Sequence, residues 1–337
     1  MNNWPWEAIV ATLGILMSVT PTWAADRLTL SAGDRDKVVI QQEPKGPIVV
    51  RIDGKEAFRY HGEKTPLPQG YEPQYRRGGY IYPVYTPSGK LIADDYPPNH
   101  KHHHGIWSPW TQTTFEGRHP DFWNMGEKKG TAEVVEYGHA FGGPVFGGFS
   151  AKHRMIDLTI DPPKPAIDET WDVVVYSAGA SVKKPYFVFD LTIHQQCAGK
   201  SPLVLEEYRY GGLGFRGSRQ WNGKDGCRFL TSEGKDRSNG NGSRARWCYI
   251  GGKVDGAEAG ITIMCAPGNF RAPQPVRLHP DEPFFCYAPE VLGKFEIAPD
   301  KPYDARYRFI VSDGPPDTRE IERLWEDFAH TPRTEVK

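Results

Sequence analysis

The chain carries few cysteines, no excess of either charge, no internal repeat and, past its first residues, no long apolar run. Its five cysteines, Cys197, Cys227, Cys248, Cys265 and Cys286, lack the CxxC spacing of zinc and dithiol motifs. An odd number leaves at least one thiol unpaired within the chain. The others read as small buried side chains or, in an oxidising compartment, as a pair such as Cys227 with Cys248. A net charge of −1 provides no basic face, which argues against a nucleic-acid partner. Without a second apolar run of bilayer length, no membrane span is expected in the mature chain.

What is present begins with a leader-like N-terminus. Ala8 to Val19 form one short apolar run, followed by Pro21 and the small residues around Ala24 and Ala25, a pattern that suits signal-peptidase cleavage. The expectation is an exported protein, periplasmic or extracellular, with residues 1–25 as signal peptide and 26–337 as a single β-sandwich domain. The n-region Met1 to Glu7 lacks Lys and Arg, and no cysteine follows the run, so a lipoprotein anchor is not expected.

Gly and Pro are abundant and evenly spread, and short alternating segments lie between them, the mark of an all-β sandwich or barrel. Phe187, Phe189, Leu191 and Ile193 alternate with Val188, Asp190, Thr192 and His194. Trp171, Val173 and Val175 behave alike, as do Ile156, Leu158 and Ile160. Ala305, Tyr307, Phe309 and Val311 form a strand that ends at the turn Asp313-Gly314-Pro315-Pro316. Many strands with no helical pattern between them imply antiparallel sheets. One helix is expected, with Asp317 as N-cap and Glu320 completing a capping box, running to about Ala329 with Ile321, Leu324, Trp325 and Phe328 on its buried face. Ser232 to Arg246 reads as a long polar loop.

Chemistry concentrates at His100, His102, His103 and His104, a run that is framed by Pro97-Pro98-Asn99 and by Gly105-Ile106-Trp107. Crowded imidazoles disfavour one another's protonation, which leaves neutral nitrogens to serve as bases or ligands. In an extended segment His100, His102 and His104 would share one face, with His103 opposite. In a loop that alternation would fail, and the two prolines favour a loop start. Downstream, Phe115 to Asn124 places Asp121 and Trp123 among aromatics, an arrangement that suits a sugar ring or an ordinary anchored loop. Leu205 to Arg216 sets Glu206, Glu207, Arg209 and Arg216 around a glycine-rich bend, either as base and oxyanion stabiliser or as sheet-face salt bridges. Asn269, Arg271 and His279 lie in stiff, proline-rich loops fit for a site rim.

In order from about Tyr80 to Asp317, several segments resemble the PmoA-like family often labelled "methane oxygenase". They are Tyr82-Pro83-Val84-Tyr85-Thr86-Pro87-Ser88-Gly89, the histidine run to Trp107, Asp121-Phe122-Trp123, Trp247 with Gly251-Gly252, Pro267-Gly268-Asn269, and Tyr307-Arg308-Phe309 through Asp313-Gly314. Members commonly read Asp-His-Pro-His-His-Arg-Gly where this chain has Asn99-His100-Lys101-His102-His103-His104-Gly105. The resemblance implies a large β-sandwich of the galactose-mutarotase kind and raises sugars as substrates. Methane oxidation of the particulate type would need a membrane-embedded metal enzyme, which this chain does not resemble.

The leading expectation is an exported carbohydrate-active enzyme that carries out hydrolysis, elimination or epimerisation on a sugar or glycoside. His102 or His103 would be the acid/base, Glu207 its partner and Arg216 the charge stabiliser. His100, Trp107, Asp121, Trp123, Asn269, Arg271 and His279 would bind substrate. One alternative is a metal-dependent oxidoreductase holding a divalent metal through His100, His102 and His279. Another is a non-catalytic glycan-binding protein using Trp107, Trp123 and Arg271.

Overall fold

The computed structural model describes residues 37–42 and 46–331, so the expected signal peptide lies outside the described residues. Among the described residues three sheets form, and their strand pairings are antiparallel. The first sheet has eight strands in the spatial order Val38–Gln42, Ile48–Ile52, Lys55–His61, Tyr80–Val84, Ile106–Trp107, Leu213–Arg216, Phe284–Tyr287 and Val276–Leu278. The second, also of eight, runs Arg228–Thr231, Trp247–Val254, Ala257–Cys265, Tyr303–Asp313, Tyr186–Cys197, Lys164–Tyr176, Phe146–Asp157 and Gly130–Phe141. A small sheet joins Phe295–Ile297, Leu203–Leu205 and Thr113–Phe115.

The two large sheets pack face to face as a sandwich. Phe58 of the first meets Phe189 of the second at 4.6 Å between ring centroids, and Tyr60 meets Phe149 at 5.2 Å. The inward residues of Tyr186–Cys197 and Tyr303–Asp313 are those the alternation marks: Phe187, Phe189, Leu191 and Ile193 face Val311, Phe309, Tyr307 and Ala305. Their opposite face is covered by the helix α1 (Thr318–Ala329), whose Ile321, Leu324, Trp325 and Phe328 pack on Val188, Trp247, Met264 and Ile310. Each fully buried side chain of this kind contributes about 2 kcal/mol. The Asp317 carboxylate accepts the Glu320 N–H, capping the helix as its sequence indicates.

The expectation for Ile156, Leu158 and Ile160 is corrected. The buried set of Phe146–Asp157 is Phe149, Ala151, His153, Met155 and Asp157, so Ile156 falls on the other face, and Leu158 and Ile160 lie exposed in the turn that follows the strand. A Cys227–Cys248 bridge is corrected too, since all five thiols are free.

Between the sheets runs one chain of buried polar groups. Trp110 Nε1 donates to Gln195 Oε1 at 2.7 Å, and Gln195 Nε2 donates to Glu169 Oε1 at 2.7 Å. Glu169 Oε2 in turn meets His153 Nδ1 at 2.9 Å, and His153 Nε2 contacts the Tyr60 hydroxyl. Each member meets another, as buried polar groups require.

Candidate functional site

Alternation along the first sheet decides which residues can act. Tyr60, Ile81, Ile106, Phe215, Phe285 and Leu278 fill the core. Their neighbours His61, Tyr80, Trp107, Arg216, Phe284 and Arg277 therefore stand on the outer face, where the register pairs His61 with Tyr80, Arg216 with Phe284, and Arg277 with Cys286. There Tyr80, Trp107, Trp123, Phe284, Cys286 and Ala288 form a separate apolar cluster under the connecting loops.

One of those loops is the histidine run, which is a turn and not a strand. His100 N–H donates to Pro97 O at 2.9 Å and His103 N–H to His100 O at 2.8 Å. Face-sharing by alternation accordingly fails. Instead His100 stacks on His103 (4.7 Å, 13°), His103 stacks on Phe284 (4.7 Å), and His102 meets His103 edge-on at 4.7 Å. His279 approaches His100 edge-on at 5.8 Å. Burial, followed by the charges of neighbouring groups, holds these rings neutral: His102 is lowered to about 3 and His279 to about 4, and His100 and His103 are also lowered. The His279 Nδ1 accepts the backbone N–H groups of Asp281 (3.2 Å) and Glu282 (3.1 Å), so its proton sits on Nε2.

Arg216 lies beneath the turn and is fully buried. Its Nη2 donates to Glu282 Oε2 at 2.9 Å and to Asn222 Oδ1 at 2.7 Å. Its Nε and Nη1, the Nδ1 atoms of His100 and His103, and Trp107 Nε1 are buried without a hydrogen-bond partner among the described residues.

The next ring along the chain belongs to a second arrangement. His104 Nδ1 sits 2.6 Å from Asp95 Oδ1, and the ring stacks on Tyr80 at 4.3 Å, which in turn stacks on His61 at 5.1 Å. The Tyr80 hydroxyl donates to Asp95 Oδ2 at 3.2 Å and lies 2.8 Å from Thr65 Oγ1. Burial and the charge of Arg77 hold His104 neutral, so its Nδ1–H is the donor to the carboxylate. Burial pushes Asp95 up to about 7. His61 is lowered, again first by burial, and its Nε2–H donates to Tyr82 O at 2.7 Å, leaving Nδ1 as its basic nitrogen. His61, Tyr80, Tyr82, Asp95 and Tyr96 line a cleft of about 460 Å³, closed on one side by Pro66, Leu67 and Pro68.

A larger hollow, about 940 Å³, lies next to Pro280 and is lined by Cys227, Arg228 and Arg237 among others. Its groups are less suited to chemistry. Arg228 is paired with Glu258 at 3.0 Å, Arg237 bonds the carbonyls of Glu282 and Cys227, and burial pushes the Cys227 thiol up to about 11.

Thus the fold assembles His100, His102, His103, His279 and Arg216, but not every residue expected beside them. Glu207 is exposed and forms no ion pair or hydrogen bond among the described residues; Glu282 is the carboxylate that meets Arg216. Asp121 is a loop clamp, accepting from Thr111 Oγ1, the N–H groups of Trp123 and Asn124, and Asn124 Nδ2. Trp107 and Trp123 are buried under His103 and Tyr210, so their faces are not platforms for a sugar. Asn269 pins its loop to Arg306 through both backbone groups, and Arg271 is spent on the carbonyls of Pro289, Gly293 and Lys294. Among the described residues no three His, Cys, Asp or Glu side chains are placed to hold a metal, so the set His100, His102 and His279 lacks metal geometry. Asp95, His61, Tyr80 and Glu282 were not read from sequence. The one local signal was Asp94-Asp95 just ahead of the histidine turn.

These features define a two-sheet β-sandwich protein whose outer sheet face carries neutral imidazoles, a buried guanidinium and a carboxyl group of raised pKa. Residues 47–326 match a family of unknown function (DUF6807), and the chain belongs to that family. This corrects the resemblance to the PmoA-like family: the matching family is a different one, so the methane-oxygenase label does not transfer. No curated protein matches the chain. No helix among the described residues is long and apolar enough to cross a membrane.

Proposed function

We propose that this protein is an exported acid–base enzyme acting on a sugar or glycoside, with Asp95 as general acid and His61 as general base. The observation that carries this reading is the opposite displacement of two groups in one cleft: Asp95 is raised to about 7 and His61 is lowered. Near neutral pH a substantial share of Asp95 holds its proton while His61 is an unprotonated base, the division of labour that proton-transfer catalysis needs. Hydrolysis, elimination and epimerisation each draw on such a pair. Tyr82, half-buried, gives the cleft a flat apolar face with a hydroxyl tip, which suits the C–H face and hydroxyls of a sugar ring. Tyr80 and His104 position the acid; the leader-like N-terminus supports export.

The test is turnover of a panel of glycans and oxidised sugars, read by mass spectrometry, with Asp95→Asn and His61→Gln as comparisons. Each variant should lose roughly 10²- to 10⁴-fold in kcat with a nearly unchanged melting temperature. Wild-type turnover by both variants would sink the assignment. Saturable binding with no product from the wild type would make the cleft a recognition site instead.

A further inference from the structure

The opposite side of the histidine turn holds two guanidinium groups that no carboxylate satisfies. Arg277 stands on the outer face and donates to Asn241 Oδ1 at 3.0 Å. Arg209 lies over the rings of Tyr208 and Tyr210 at 5.6 and 5.8 Å, and Tyr210 rests on Trp123 at 5.3 Å. Cys286, the register partner of Arg277, and Tyr210, which lies under Arg209, pack in the same apolar cluster, and Arg209, after burial, disfavours the charged form of Arg277. Among the described residues neither forms an ion pair. Among the acids of this region Glu282 is held by Arg216 and Asp121 by its loop, while Glu290, buried against Gly211, and the exposed Glu207 form no ion pair among the described residues. Two like charges held together without an acid between them cost stability, and an anion supplied from outside reverses that cost.

We infer that Arg209 and Arg277 form an oxyanion subsite, gripping the carboxylate or sulfate of an acidic sugar while His279 Nε2–H and the Tyr208 hydroxyl donate alongside. Arginine suits the role because its planar fork matches both groups. Since His279 is lowered to about 4 and stays neutral, the charge of the site comes from the arginines and is constant from pH 6 to 8. The sugar that carries the anion rests on the proposed function; the anion contact itself does not.

Isothermal titration of the full chain with galacturonate, galactose 6-sulfate and galactose tests this. At least one acidic sugar should bind roughly tenfold or more tightly than galactose, and added salt should weaken it. Arg277→Gln and Arg209→Gln should each cost roughly tenfold with unchanged circular dichroism and melting temperature, and Arg277→Lys should cost less than Arg277→Gln. Which acid binds better identifies the anion. Acidic sugars that bind no better than galactose, or glutamine variants that keep full affinity, would overturn the subsite. Asp95→Asn should bind as the wild type does, so missing turnover with intact binding removes the proposed reaction and leaves the subsite standing.

Discussion

The Nδ1 of His104 lies 2.6 Å from the Asp95 carboxylate at the wall of a cleft, a contact that opposes the upward push of burial on Asp95. A donor that stabilises the charged form of a carboxyl group lowers its pKa, so removing it raises the pKa. His104→Phe keeps the stack on Tyr80 and removes the N–H. If Asp95 acts as the acid, activity falls above its pKa of about 7, and in His104→Phe that basic limb of the pH–rate profile moves to higher pH. A limb that stays in place would deny His104 its positioning role.

Stability should peak near pH 7. His61, His100, His102, His103, His104 and His279 have folded pKa values below the ordinary 6.5, so the stability they contribute is present above 6.5 and is lost as pH falls. Asp95 and Glu290 are displaced the other way, to about 7 and about 8, from 3.8 and 4.5. Their contribution is complete at low pH and is lost as pH rises through those values. Below about 7 the six imidazoles, still half protonated in the unfolded chain at 6.5, outweigh the two carboxyls; above about 7 the carboxyls dominate. Urea unfolding at pH 5, 7 and 9 should show a maximum at the middle value, and Asp95→Asn should flatten the alkaline decline. A steady rise from pH 5 to 9 would contradict the raised carboxyls.

How much of this was legible depends on range. Phe187 to Ile193 and Ala305 to Val311 face the core as their alternation says, and Asp317 caps the helix, because each signal is contained in a few consecutive residues. Ile156, Leu158 and Ile160 misled because the strand ends at Asp157 and its inward set includes the polar His153 and Asp157, whose burial rests on partners distant in sequence: Glu169 for His153 and Arg118 for Asp157. At the site the histidines were visible but their partners were not. Glu282 reaches Arg216 across 66 positions, whereas Glu207, nearer in sequence, is exposed. Which acid of Asp94 and Asp95 meets His104 is decided by the path of a loop, not by residue type. Buried neutral rings also look identical in sequence to exposed ones.

The difference between Glu282 and Glu207 is itself measurable. Arg216 is wholly buried and Glu282 is its one ion-pair partner among the described residues, so Glu282→Ala leaves a buried cation with amide oxygens alone. Breaking a buried pair in this way costs about 3 kcal/mol. Glu207→Gln touches no partner and should change stability by less than about 0.5 kcal/mol. Urea midpoints of the two variants give the comparison. Equal midpoints would place Glu282 outside the support of the histidine turn.

Gly105 joins that turn to the sheet, and its lack of a side chain is required by position. A Cβ there would lie 2.3 Å from Ile81 O, a backbone atom of the neighbouring strand that cannot rotate away, while Gly105 O accepts the Arg216 N–H at 2.9 Å. Gly105→Ala must therefore part the strands that carry Tyr80 and Trp107, at a cost of about 2 kcal/mol or more. The same movement displaces His104, the preceding residue, from Asp95, so the basic limb of activity should shift upward as expected for His104→Phe. Gly268→Ala, whose Cβ meets nothing within 4 Å, is the matched control and should melt as the wild type does. Should Gly105→Ala melt with the control and keep the wild-type pH profile, the path of the turn from His104 into the strand at Ile106 would have to be redrawn.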